Sequence, residues 1–468
     1  MDRFIYSGAM GACGIEVAMI FKNKKISVIG LGKSGFAAAQ FLIGKKAQVS
    51  VTDNSSKEEI LRDARRLEKL GARVETGRHT AAALEEASLV VTSPGISKES
   101  FPLKLARQKK IPVISEVELA ALNCRGFIVG ITGTNGKTTT SHLIHEIISH
   151  AGRKSVLCGN IGYSFLEATR EIDKKTVVVL ELSSFQLEDS PDLRPDIALV
   201  LNISPNHLDR HKTLKNYTRA KENIFKNQTK TDVLILNYDD PVVKKMSEKA
   251  RSRVIFFSKA PMKNGIFLKK NKIVVRERNR EVRFLETRHF KLKGDHNIEN
   301  ILAAAAVAWV LKIPATVTQR TSDLFKTLEH RIEPLGQLGG VYFVNDSKST
   351  TVESTKAAIL SVKTPLVLIA GGRDKGVDFS SIEALVKDRV KRAILYGESR
   401  DKIKNSWKSF DRWETEADFA KAVERAFQSA CPGDTVLLSP MCTSFDQFSS
   451  YAERGNAFKQ IFKKLGGS

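Results

Sequence analysis

The stretch Phe127–Ser141, FIVGITGTNGKTTTS, decides the fold. Phe127, Ile128 and Val129 end a buried strand, and a loop follows in which Gly130, Gly133 and Gly136 are spaced by residues such as Thr134 and Asn135. Lys137, Thr138 and Thr139 then open an apolar-periodic run, Leu143, Ile144, Ile147 and Ile148, whose spacing predicts a helix. Strand, glycine-rich loop and helix with Lys-Thr at the join make a cradle for polyphosphate. Backbone N–H groups and the helix N-terminus face the anion, the lysine adds charge, and a hydroxyl is available to Mg²⁺. The usual loop pattern has a glycine five residues before Gly136, where this sequence has Ile131. A plain glycine-rich turn would explain the glycines but not the Lys-Thr pair, so the stretch reads as an ATP site of variant spacing.

On the N-terminal side, Lys25–Ile29 is a predicted strand and Gly30-Leu31-Gly32-Lys33-Ser34-Gly35 is a GxGxxG turn into a helix over Phe36–Ile43. The next strand, Gln48–Thr52, ends at Asp53, eighteen residues after Gly35. That spacing is a dinucleotide fingerprint, although the same turn accepts any nucleotide pyrophosphate. Lys33, Ser34 and Asp53 are the expected contacts. Strands over 73–75, 89–92 (followed by Ser93, Pro94 and Gly95) and 111–114 complete a Rossmann-like parallel sheet in a first domain, residues 1–116. Two nucleotide sites in one chain imply two anionic ligands.

On the C-terminal side, Gly159-Asn160-Ile161-Gly162 is a turn, and the apolar strand Thr176–Leu180 ends on Glu181. A glutamate at a strand end is most often a surface residue. Here it follows the phosphate loop by one strand, where a Mg²⁺ ligand is expected. The strand Ile197–Leu201 runs into Asn206, His207 and Asp209; a histidine beside a carboxylate at a strand end is a metal or phosphate candidate, set against a satisfied surface histidine. Lys221, on a helix over 217–224, reads by itself as a solvated charge. Asn297 and Asn300, three apart at the start of an Ala-rich helix, are suited to an adenine edge through their amides. These elements form a central P-loop-type domain with a parallel sheet, residues 117–328. From 329 to 468 a third, Rossmann-like α/β unit carries polar residues at successive strand ends, and a closing domain of that kind excludes water from phosphoryl chemistry.

The length, 468 residues, suits about three domains. A formal charge of +23 raises nucleic acid as a partner, but the basic residues are scattered without an aromatic-interleaved module, so attraction to anionic substrates is the simpler expectation. Five cysteines without paired spacing argue against a disulfide framework and a zinc site. No apolar run approaches the ~20 residues of a membrane span. Residues 1–20 lack the apolar centre of a signal peptide, Met19 is a candidate start, and a cytoplasmic monomer is expected.

From about residue 19 to 468 the chain resembles the Mur ligase family, and within it the branch that adds D-glutamate. The resemblance rests on GITGTNGKTTT, ELSSFQLE, NHLDRH, YTRAK, GDHNIEN, HRIE, NDSKST and SFDQFSSYAERGNAF in the family's order. TNGKT alone would indicate only the wider family, which includes folylpolyglutamate synthases; GLGKSG and SFDQF narrow it. The resemblance implies an ATP-dependent (ADP-forming) ligase in which the carboxylate of UDP-N-acetylmuramoyl-L-alanine becomes an acyl phosphate and the amine of D-glutamate attacks it, in peptidoglycan precursor synthesis. It implies Lys137 on the phosphates, Mg²⁺ on Thr138, Glu181 and His207, and a CO₂-derived carbamate on Lys221 as a further Mg²⁺ ligand. It also implies Asn297 and Asn300 near adenine and Arg331 and Asp346 on the nucleotide, with Lys348 and Thr350 nearby. Lys375, Ser444, Phe445 and the region of Tyr451 would receive D-glutamate; Lys33, Ser34, Asp53, Asn54, Ser93, Pro94 and Gly95 would receive the UDP group, with Asn160 nearby. Two positions depart from the pattern: Asn206 stands where many members have Asp, and Tyr451 where Phe is expected. The rival readings are another amino-acid ligase of the family, a nicotinamide-dependent dehydrogenase using Gly30–Gly35, and a non-enzymatic nucleotide-binding regulator.

Overall fold

The computed structural model describes residues 21–161, 163–278, 280–292, 294–325, 329–362, 365–374 and 377–467. Met19 and Lys375 lie outside them. The first sheet holds β1 (Lys25–Ile29), β2 (Gln48–Asp53), β3 (Arg73–Thr76), β4 (Leu89–Thr92) and β5 (Val113–Ser115) in the order β3-β2-β1-β4-β5, all parallel. Short apolar strands alternating with amphipathic helices give such a sheet, because each crossover needs a helix and both faces are then covered. The strand order reverses at β1 and β4, so the crevice at their carboxyl ends is the natural ligand position. The GLGKSG turn sits there, with Gly30 at φ +91° and its carbonyl accepting from Ser93 Oγ at 3.0 Å. A Cβ on Gly35 would lie 1.7 Å from that same carbonyl oxygen, so only glycine lets the helix Lys33–Gly44 start this close to the strand.

The second sheet has nine strands: β6 (Phe127–Thr132), β7 (Ser155–Gly159), β8 (Val177–Glu181), β9 (Ile197–Val200), β10 (Val233–Asn237), β11 (Arg253–Ser258), β12 (Gly265–Lys269), β13 (Lys272–Glu277) and β14 (Arg280–Glu286). Their order is β14-β13-β12-β11-β10-β9-β6-β8-β7. The sheet is parallel from β7 to β12, and β12-β13-β14 is an antiparallel edge that the sequence reading did not find. Strand β6 also runs three residues past the expected end at Val129. Gly130 therefore belongs to the strand, opposite Leu180 and Ala198, and a Cβ there would come within 2.9 Å of Pro195. Ile131 pairs with Glu181 and is buried, so the position where a loop glycine is usual is a strand position in this chain.

These two sheets and their helices form one compact unit, with residues 204–212, 290–298 and 324 onward grouped in a second. One apolar cluster runs through the first unit from Val28 and Leu42 to Leu180 and Leu236. Beside it, Ser115 Oγ meets Ser190 Oγ at 2.7 Å and a carboxylate oxygen of Glu118 accepts from Leu193 N at 3.0 Å. The second unit holds β15 (Glu333–Leu338), β16 (Val341–Asn345), β17 (Leu366–Gly371), β18 (Val390–Tyr396), β19 (Trp413–Glu416) and β20 (Thr435–Met441), ordered β15-β16-β20-β17-β18-β19. Only the β15–β16 pair is antiparallel.

Glu118 gives a pH test of the first unit. Burial, and then the nearby Asp192, push its carboxyl up to about 8. The folded chain therefore holds a proton there that the unfolded chain has released above its own pKa, about 4.3, so this residue removes stability as pH rises through that window. Urea unfolding of Glu118→Gln is expected to match wild type near pH 4, below the unfolded pKa, and to exceed it by more than about 1 kcal/mol at pH 8. Equal stability of the two proteins at pH 8 would contradict this.

Candidate active site

The phosphate loop is held against its surroundings by backbone contacts that leave no room for side chains. Gly133 lies at φ +154° and Gly136 at φ +82°; a Cβ on Gly136 would lie 2.3 Å from Asn300 Oδ1. Asn202, just past β9, fastens the loop. Its carbonyl accepts from Thr134 N at 2.9 Å, its Oδ1 accepts from Asn135 N at 2.8 Å, and its Nδ2 donates to Asn135 O at 3.1 Å. Sequence reasoning missed this role, because an asparagine after a strand carries no signal of the loop it will meet. Lys137 Nζ folds back to donate to Gly133 O and Thr134 O, both at 2.9 Å. Thr138 and Thr139 are buried in the first turn of the helix Lys137–His150. Asn300 accepts from Thr140 Oγ1 at 3.2 Å, so the residue expected near adenine also braces the phosphate loop.

Glu181 ends β8 and is buried. Its Oε1 accepts from Asn160 Nδ2 at 2.9 Å, and its Oε2 has no hydrogen-bond partner among the described residues. A buried carboxylate oxygen left without a donor is costly unless a cation takes it up, which fits a Mg²⁺ ligand. Asn160, expected near the UDP substrate, here orients that carboxylate.

Lys221 corrects the reading of a solvated charge. It is 1% exposed, and Nζ donates to Thr132 Oγ1 at 3.1 Å and Gly133 O at 2.8 Å beside the Tyr217 ring. Burial, reinforced by Lys137 and opposed by Glu181, holds its pKa well below the usual lysine value. The described residues contain no group of three or more His, Cys, Asp and Glu that would hold a metal, and Mg²⁺ commonly binds through one or two carboxylates with waters and substrate phosphates.

His207, at φ +54°, belongs to the second unit, where its carbonyl accepts from Arg210 N at 3.1 Å and His211 N at 2.9 Å. Asn297 belongs to the second unit too, and is buried. In that unit Asp346 is buried; Ser439 Oγ donates to it at 2.8 Å and Ile332 N at 3.1 Å. Burial pushes its carboxyl up to about 6, with Ser349, Ser439 and Arg331 acting against that. Lys348 Nζ lies 5.2 Å from the Tyr451 ring centroid, Ser444 is buried, Thr350 is half-buried and Phe445 is exposed. In the first unit, Asp53 accepts from Leu31 N at 2.6 Å and Ser55 N at 2.8 Å, and so shapes the GLGKSG turn. Around that crevice Ser34, Ser93 and Pro94 are half-buried, and Lys33, Asn54 and Gly95 are exposed.

Three family models match the chain in order: the MurD-like N-terminal domain of Mur ligases over residues 24–115, the Mur ligase middle domain over 131–308, and the Mur ligase glutamate ligase domain over 330–442. The chain belongs to the Mur ligase family. Among similar proteins is the UDP-N-acetylmuramoylalanine–D-glutamate ligase of Thermoanaerobacter pseudethanolicus, 40% identical over 452 residues, covering 96% of this chain and 100% of that one. The ligase of the same name from Geotalea daltonii is 41% identical over 450 residues, covering 96% and 99%. Similar Mur-type folds include the pseudomurein peptide ligase type C of Methanothermus fervidus (TM-score 0.59, 19% identity, 95% and 100% covered). Another is the MurF ligase of Thermotoga maritima in complex with ADP (TM-score 0.58, 16% identity, 95% and 98% covered).

The packing of the loop predicts the behaviour of Gly136→Ala. The positive φ costs about 1–2 kcal/mol by itself, and the methyl group must displace Asn300. Nucleotide affinity, measured by titration, is expected to fall more than about tenfold. Adding Asn300→Ala should cost less than the two single losses summed, because the clash disappears. Strict additivity would show that the Gly136–Asn300 contact is not what matters.

Proposed function

We propose that this chain is an ATP-dependent, ADP-forming ligase that joins D-glutamate to UDP-N-acetylmuramoyl-L-alanine through an acyl phosphate, in peptidoglycan precursor synthesis. The full-length likeness to ligases of that name carries the proposal, and the phosphate loop beside buried Glu181 and Lys221 supports it physically. In this reading residues 1–116 bind the UDP substrate, 117–328 bind ATP, and 329–468 bind the amino acid, in a cytoplasmic monomer.

The first-unit residues divide the work. Loop N–H groups between Gly133 and Thr139, with Lys137, bind and orient the phosphates so that the acceptor carboxylate oxygen meets the γ-phosphorus. That attack breaks the bond to ADP. The amine of D-glutamate then attacks the acyl carbon, loses a proton and expels phosphate. The first-unit residues that would hold Mg²⁺ are Thr138, Glu181 and Lys221 as a carbamate. When bound, the ion neutralises charge on the transferring phosphoryl group.

Lys221 supports the carbamate physically. An amine must be unprotonated to add to CO₂, and this one is held in that direction by burial. The product is N-carboxylysine plus a proton, which turns a neutral amine near Glu181 into an anion. The carbamate nitrogen keeps one N–H, enough for the bond to Gly133 O.

Two measurements test the proposal. ADP release should require UDP-N-acetylmuramoyl-L-alanine and D-glutamate together; equal turnover with L-alanine or meso-diaminopimelate would remove the assignment. Lys221→Ala should lose at least about 100-fold in kcat, which is about 2.7 kcal/mol of barrier, and acetate or formate should restore part of it by refilling the cavity with an oxygen ligand. Restoration by methylamine and not by acetate would mean that Lys221 acts as a cation.

A further inference from the structure

Arg454, in the first turn of the helix Tyr451–Leu465, is fully buried. Its Nε donates to Ser347 Oγ at 2.9 Å. One terminal nitrogen donates to Tyr396 Oη at 3.1 Å and Cys442 O at 3.3 Å, and the other to Ser347 O at 2.8 Å and Cys442 O at 3.3 Å. Every acceptor is neutral. No carboxylate contacts it among the described residues: Asp374 pairs with Lys402, and Asp446, which shares the surroundings of Tyr396 and Cys442, accepts from Glu398 N at 3.3 Å and leaves its other oxygen without a hydrogen-bond partner. A buried guanidinium normally has a carboxylate against it, because taking the charge out of water is costly.

The place of this charge in the fold suggests its use. Ser347 follows β16 and immediately precedes Lys348; Cys442 follows β20 and lies two residues before Ser444. Ser347 Oγ also donates to Tyr451 O at 2.7 Å. The guanidinium thus pins both strand-end loops and the start of the helix, at the edge where an α/β sheet takes its ligand. Neutral donors would serve as pins; only a cation also favours an anion.

We propose that Arg454 is a positioning and specificity-determining residue: its charge, hydrogen-bonded only to neutral acceptors and buried behind the Ser347–Lys348 and Cys442–Ser444 loops, favours an acidic amino acid over a neutral one of the same shape. This rests on the reading of the third domain as the D-glutamate site. In general, a unit charge within about 10 Å of an anion, across protein of effective dielectric about 20, changes affinity by on the order of tenfold or more.

The test measures KM for D-glutamate, KM for ATP and the inhibition constant of D-glutamine in four enzymes: wild type, Arg454→Gln, Arg454→Lys and Tyr396→Phe. Arg454→Gln is expected to raise KM for D-glutamate at least tenfold while the other two constants move less than threefold. Arg454→Lys and Tyr396→Phe keep the charge while disturbing the hydrogen bonds, and should change KM for D-glutamate less than threefold, whatever their melting temperatures. A merely structural role predicts that all three constants worsen together in Arg454→Gln, or that Arg454→Lys loses D-glutamate as fully as Arg454→Gln; either result overturns the proposal. Should Arg454→Gln not fold, Arg454→Lys decides by itself: a rise in KM for D-glutamate under threefold supports the charge, and a larger rise overturns it. Wild type that makes no product from D-glutamate would refute the domain reading instead, a distinguishable outcome.

Discussion

Parallel strands buried on both faces can present polar groups only where the strands end, and this constraint organises the molecule. In the first sheet the carboxyl ends of β1 and β4 carry the GLGKSG turn and Ser93; in the second, those of β6, β8 and β9 carry the phosphate loop, Glu181 and Asn202. In the third, β16 and β20 lead into Asp346, Ser347 and Ser444. Ligand chemistry is confined to such edges because the rest of each strand is apolar and covered. Each edge carries a different group there: a glycine turn, a lysine-bearing loop, and a buried arginine.

Within the central domain the edge is crowded, and the crowding does chemical work. The loop is fixed by the protein's own contacts, with Asn202 on one side and Asn300 on the other. Preorganisation of this kind spares the reaction the cost of ordering N–H donors around a changing charge. It also encloses Lys221, whose surroundings disfavour the ammonium form. An amine that is a poor cation and a good nucleophile is the chemistry a carbamate requires.

Much of this was legible in the sequence, and the reason is physical. The three α/β units and the positions of Gly133, Gly136, Lys137 and Glu181 follow from apolar runs that end on glycine or charge, a pattern that local chemistry enforces. The basic edge β12-β13-β14 was not legible. In β13 the three consecutive residues Ile273, Val274 and Val275 are all buried between Lys272 and Arg276, so a short apolar run bracketed by charge shows no alternation. The burial of Lys221 and Arg454 was hidden for a different reason. A cation on a helix looks the same in sequence whether water or protein surrounds it, so their burial appears only once distant segments are folded together. Gly130 was misassigned to the loop because glycine is usually read as a breaker, whereas here it makes room for Pro195.

The central claim is that the acceptor carboxylate is activated by phosphorylation, and oxygen tracing tests it most directly. UDP-N-acetylmuramoyl-L-alanine labelled with ¹⁸O in its free carboxylate would be converted with ATP and D-glutamate, and the phosphate released would be analysed by mass spectrometry. Because the carboxylate oxygen that attacks the γ-phosphorus leaves with it when the amine displaces phosphate, the account predicts one ¹⁸O in each phosphate formed and one kept in the amide. Phosphate free of ¹⁸O, with amide formed at the normal rate, would contradict it.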